Sequence, residues 1–199
     1  DFPLDQVVGL LSNLATLQDD LYHQLGILPT DARIEVYLFR SQASYQAFLR
    51  RHFPGVPERR ALFIQGDGPG LVMTYQSREM ATDLRHECTH ALLHAALPMV
   101  PLWLDEGLAE YFELPPNQRA YDNVHLRGTR WNARWGLVPK ITELERLADM
   151  EDMGSKEYRD AWSWVHFMLH GPSSARTELV LFLQDIAQLT PPGLLSERL

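Results

Sequence analysis

His86-Glu87-Cys88-Thr89-His90 is the stretch on which the fold reading turns. It lies within Thr82–Leu97, an apolar-periodic run closed by Pro98 and Pro101, and that pattern predicts a helix. Residues four apart on a helix share a face, with Cβ atoms roughly 5–6 Å apart. Two imidazoles so placed reach one zinc ion at roughly 2.0–2.1 Å. Glu87 follows His86 by one residue, about 100° around the helix. It is poorly placed to bind the ion beside both histidines but can reach a water held there. The spacing therefore reads as two ligands and one general base. The same histidine pair also suits an ordinary amphipathic helix, partly buried and hydrogen-bonded, and the next segment weighs against that.

A zinc site in a hydrolase wants a third protein ligand and an open position. After the turn Pro98-Met99-Val100-Pro101 comes Leu102-Trp103-Leu104-Asp105-Glu106-Gly107-Leu108-Ala109-Glu110-Tyr111-Phe112-Glu113. Glu106, Glu110 and Glu113 fall on one face of a second helix, which so short a turn can fold back beside the first. Acids on that face would complete a His-His-Glu site. Leu104, Leu108 and Tyr111 line a neighbouring face, so a merely solvated acidic face is the competing reading.

The rest of the chain bounds this reading. There are 199 residues, one cysteine, eight histidines and a net charge of −8. One domain is expected, spanning 1–199, with an α/β sheet part over 1–81 and a helical part over 82–199. A single cysteine excludes a disulfide framework and a Cys-rich zinc knuckle, so any metal must sit on histidine and carboxylate. The acidic balance argues against nucleic acid. No apolar run approaches the roughly 20 residues of a membrane helix, so no transmembrane segment is expected. Upstream, Leu4–Leu25 reads as a long amphipathic helix stopped by Gly26, and Ala32–Phe39 as a strand. Ser41 caps a short helix broken at Pro54-Gly55-Val56-Pro57. Ala61–Gln65 and Leu71–Gln76 read as hairpin strands around Gly66-Asp67-Gly68-Pro69-Gly70. Downstream, Val124–Trp135, Thr142–Ala148 (with Thr142 and Glu145 as a capping box), Glu157–His170 and Ser174–Gln188 read as helices. Strands early and helices late point to an α+β fold.

His86-Glu87-Cys88-Thr89-His90 followed by Trp103-Leu104-Asp105-Glu106-Gly107-Leu108-Ala109-Glu110 resembles the gluzincin metallopeptidases, above all the small peptidase MA-like proteins of bacteria. The resemblance runs over about residues 82–170. It implies a zincin-like fold, with a small N-terminal β-sheet, an active-site helix and a mainly helical C-terminal half. It implies Zn2+ held by His86, His90 and Glu106, with Glu110 orienting one histidine and Glu87 as catalytic base. It implies that Tyr158 supplies the oxyanion donor, and that Leu71–Gln76 is the edge strand along which a peptide or protein substrate lies. The fifteen residues between His90 and Glu106 make a shorter gap than in thermolysin-like enzymes and M1 aminopeptidases. A metzincin pattern would want Gly at 93 and His at 96, where the chain has Leu93 and Ala96.

Peptide hydrolysis, with endo action favoured, is thus the expected function. A zincin-fold binding or scaffold domain without catalysis is the alternative. Asp1 in place of Met reads as a cut start, and with the resemblance it leans toward an exported bacterial protein. His94 reads as a helix-face histidine. His166 and His170, four apart, lack a base at Phe167, and His170 suits the helix end as a cation. The arginines and tryptophans of Val124–Trp135 read as helix packing with buried arginine stems. Cys88 reads as a core thiol.

Overall fold

In the computed structural model, which describes residues 4–66 and 68–199, the chain is α+β. The sheet comes from the expected strands. β1 (Ile34–Phe39) pairs parallel with β3 (Gly70–Tyr75), and β2 (Ala61–Ile64) pairs antiparallel with β3 on its other side. Parallel strands need a crossover. Part of it is helix α2 (Gln42–His52), which packs on the sheet. Ser41 starts α2 with a reciprocal cap: its hydroxyl accepts from the Ser44 amide, and its own amide donates to the Ser44 hydroxyl. β2 and β3 form the expected hairpin; Asp67, within its loop, lies outside the described residues.

The strand order β1-β3-β2 corrects one expectation. The segment Leu71–Gln76 is not an edge. β3 is hydrogen-bonded on both sides, because the parallel partner β1 occupies the side that a simple hairpin would leave open. The edge strand antiparallel to its neighbour is β2. Successive side chains of β3 face opposite sides. Met73 joins Tyr45 and Leu49 under α2, whereas Val72 joins the main core.

That core is helical. α1 (Leu4–Leu25) contributes Leu17, Leu21 and Leu25. α3 (Met80–Ala96) contributes Leu84, Cys88 and Leu93, and α4 (Leu102–Phe112) contributes Trp103, Leu104 and Leu108. Burial raises the Cys88 thiol to about 12, so it is an inert core group. Further along, α5 (His125–Arg134) and the short α6 (Ile141–Leu144) lead to α7 (Ser155–His170) and α8 (Ser173–Ala187), with α9 (Leu195–Arg198) at the end. Trp162 and Val165 of α7 and Leu179 and Leu183 of α8 complete the core. Among the described residues no helix is long and apolar enough to cross a membrane.

Gly107 sets how closely α4 meets α7. A Cβ there would lie 2.9 Å from the Ala161 carbonyl oxygen and 3.0 Å from a Val165 methyl. The obstacle is partly backbone, so the helices must separate to admit it. Gly107→Ala is expected to cost about 1–3 kcal/mol by overpacking. Thermal unfolding checks this, at roughly 2–4 °C per kcal/mol for a chain of this size. An unchanged melting temperature would show that α4 and α7 tolerate the separation.

Three local expectations are corrected. Thr142 and Glu145 form no capping box: the helix starts at Ile141 and ends at Leu144, with no side-chain cap. Glu145 instead accepts from the amide and hydroxyl of Ser196, tying α9 to the core. The arginine stems of α5 are not buried, since no residue of that helix is. Finally, His170 is not a helix-end cation. Burial lowers its pKa below the ordinary histidine value, and its Nε2 pairs with the Tyr111 hydroxyl at 2.7 Å.

Candidate metal centre

α3 and α4 form a helix hairpin closed by Leu97–Pro101, with the Leu97 amide donating to the Leu93 carbonyl. Folding α4 back along α3 sets its acidic residues against the two histidines. His86 Nε2 and His90 Nε2 face one another at 3.2 Å. Glu106 stands opposite, its carboxylate oxygens 3.7 Å from His86 Nε2 and 3.8 Å from His90 Nε2. His90 and Glu106 are buried and His86 is half-buried. These three residues form a group able to hold a metal ion.

The far side of each ring is also held. His86 Nδ1–H donates to Glu113 at 3.2 Å. His90 Nδ1 lies 3.0 Å from an Asp105 oxygen that also takes His94 Nε2 at 3.0 Å. A neutral imidazole carries one N–H, so a donor at Nδ1 leaves Nε2 as a lone pair. Two lone pairs and a carboxylate then converge on one point, an arrangement that repels itself unless a cation or proton lies between. Carboxylates behind metal-bound histidines fix the tautomer in this way.

The electrostatics agree with a site built for positive charge. Burial alone would lower the His86 pKa, but the Glu106 and Glu113 carboxylates outweigh it and hold it well above the ordinary value. Burial also opposes protonation of His90, and there Asp105 wins, so its pKa is raised. Asp105 shows the reverse. Burial pushes its carboxyl up, but His90 and His94 together hold it below the usual carboxylate range.

Glu110 lies beside His86, with a carboxylate oxygen within 4.8 Å of a His86 ring nitrogen and a Glu113 oxygen. Its hydrogen bond, however, goes to His125 Nε2 at 2.9 Å and to neither His86 nor His90. Asn123 locks that pair, donating to the Glu110 carbonyl and accepting the His125 amide. The orienting carboxylates are Glu113 and Asp105. Both were missed as such, because Asp105 adjoins Glu106 in sequence and Glu113 read only as a third acid on the face. Arg85 was missed too. Buried, it donates to the carbonyls of Phe112, Glu113 and Leu114 at 3.1–3.3 Å, holding the end of α4 against α3. An unpaired buried guanidinium would be costly, and the orphan carbonyls of a helix end satisfy it.

Glu87 is half-buried and lines a cavity of about 330 Å3 with Arg59, Asp83, His86, Glu110 and Glu113. Tyr158 of α7 is half-buried. Burial, then the charges of Glu106, Glu110 and Glu87, raise its phenol to about 12, so it stays protonated near the site. His94 stays outside the ligand group, bonded to Asp105. His166 Nε2 pairs with the Ala120 carbonyl at 3.0 Å. No protein-family model matches the chain, and no curated protein matches it.

Proposed function

We propose that the protein is a zinc-dependent metallopeptidase of zincin-like fold, related to the gluzincins. The observation that carries this is the convergence of His86 Nε2, His90 Nε2 and the Glu106 carboxylate, with both opposite ring nitrogens held by carboxylates. Nitrogen and carboxylate donors of this kind suit Zn2+, and two histidines with one glutamate match a catalytic rather than a closed structural set. Bound there, zinc supplies Lewis acidity toward a carbonyl and a water nucleophile at neutral pH.

The chain's own residues do the remaining work. Glu87 takes a proton from the attacking water and passes it to the leaving amine, a base and then an acid. Tyr158, kept protonated, donates to the oxyanion that develops on the substrate carbonyl. The free edge of β2 begins at Ala61, which lines the same cavity, and offers backbone partners to an extended peptide by strand addition. Glu110, held by His125, lines the same cavity.

The direct test is titration of the purified protein with Zn2+ and an assay on unfolded casein. One equivalent of tightly bound zinc and hydrolysis stopped by a chelator are expected. Protein that binds no zinc would overturn the site, and zinc-loaded protein that cleaves nothing would favour a scaffold domain. Asp105→Asn and Glu113→Gln are each expected to weaken zinc binding about 10–100-fold, read by competition with a chromophoric chelator. Wild-type affinity in both would remove their assigned role.

A further inference from the structure

α5 packs against α7 and buries no residue fully. Its inner side is nevertheless well seated. Leu126 packs on the main core, and the Thr129 and Ser163 hydroxyls bond at 2.7 Å. Its outer side carries Arg127, Arg130, Trp131 and Arg134, all exposed. The chain then stops the helix with Gly136 in the left-handed region at φ +69°. The Gly136 amide bonds the Ala133 carbonyl, and the Leu137 amide bonds the Asn132 carbonyl. In this kind of stop the residue after the glycine ordinarily folds back onto the helix as an apolar contact. Here Leu137 stays 62% exposed and Val138 67%, and Trp131 and Trp135 are 63% and 64% exposed. The Pro139 carbonyl accepts from Trp164 Nε1, so the loop is tied down, and Leu137 and Val138 form one rim of an apolar surface groove with Thr129, Ala133, Trp164 and Phe167.

The charge of this segment is opposite to that of the molecule. Residues 124–140 hold Arg127, Arg130, Arg134 and Lys140 and no acid, leaving fourteen cations against twenty-six acids elsewhere. We propose that α5 and the 135–138 loop are a docking face for an anionic lipid surface. Trp131, Trp135, Leu137 and Val138 enter the boundary between headgroups and acyl chains, and the arginines meet the phosphates. Tryptophan prefers that boundary because its ring is apolar with a polar edge. The acidic remainder is repelled by the same surface, which turns this one face toward it. Nucleic acid would use the arginines and tryptophans but leave Leu137 and Val138 without a partner. A second copy would set cation against cation.

Sedimentation with vesicles of three parts phosphatidylcholine to one part phosphatidylglycerol tests this. Co-sedimentation is expected, lost at high salt, with a blue shift of tryptophan emission that Trp131→Ala/Trp135→Ala removes, since Trp103 and Trp162 are already buried and Trp164 is half-buried. Trp131→Ala/Trp135→Ala and Arg127→Glu/Arg134→Glu are each expected to reduce binding about tenfold or more. Leu137→Asp, a single exposed change, should do the same with an unaltered circular dichroism spectrum. Vesicles left unbound by the wild-type protein would overturn the proposal. So would binding that all three variants retain, or binding of single-stranded DNA or an acidic peptide in place of vesicles.

Discussion

Glu87→Gln is expected to lower kcat/KM on a peptide substrate by about 10⁴-fold, with zinc still bound at one equivalent. Glutamine has the shape of glutamate, so the half-buried side chain keeps its place on the cavity wall between Asp83, His86 and Glu110. The proposed metal donors are His86, His90 and Glu106, and none is altered. What disappears is a basic carboxylate, and with it both proton transfers assigned to this residue. That double use places the expected loss at the upper end of the range for a single acid–base group. Zinc content by elemental analysis and initial rates on one sample give the two readouts. Turnover at the wild-type rate in a zinc-loaded variant would sink the assignment. A variant that has lost its zinc would instead place Glu87 among the metal ligands.

Removing zinc is expected to lower the melting temperature, and by more as pH rises. A ligand at a hundred times its Kd stabilises the folded state by about 2.7 kcal/mol, here about 5–10 °C. The sign with pH follows from the histidines. Both His86 and His90 have folded-state pKa values raised above the ordinary value of about 6.5, held there by their carboxylates. In the metal-free protein their protonated pairs stabilise fully below about pH 6.5. That contribution is lost as pH rises through the folded values. Zinc needs the same Nε2 lone pairs that the protons hold, so its affinity moves the other way. Melting curves with and without chelator should therefore differ little near about pH 5 and most near about pH 8. A gap that does not change with pH would show that the histidines are not the metal donors.

Much of the architecture was legible because it is written in short-range patterns. Leu4–Leu25, the Ser41 cap and the hairpin around residues 66–70 follow from periodicity, capping chemistry and turn residues, and each forms as read. The four-residue spacing of His86 and His90 puts both rings on one side of α3 for the same reason. Where reading failed, the deciding contact was distant in sequence. Thr142 and Glu145 have the letters of a capping box, yet Glu145 is claimed by Ser196, fifty-one residues away. The centre of the sheet is β3, because β1 pairs with it across α2 and β2.

The sequence alone determined that any metal must rest on histidine and carboxylate, and that His86 and His90 share a helix face. It could not determine which acid meets which ring. A helical pattern states the direction of a side chain relative to its own axis, and nothing about the rotation and offset of a neighbouring helix. Tertiary packing decides that. Gly107 lets α4 approach the backbone of α7, and Arg85 holds the end of α4 against α3. In that setting Glu106 faces both Nε2 atoms, Glu113 and Asp105 take the Nδ1 atoms, and Glu110 turns to His125. The same packing leaves the outer side of α5 uncovered, a fact of burial that no run of letters records.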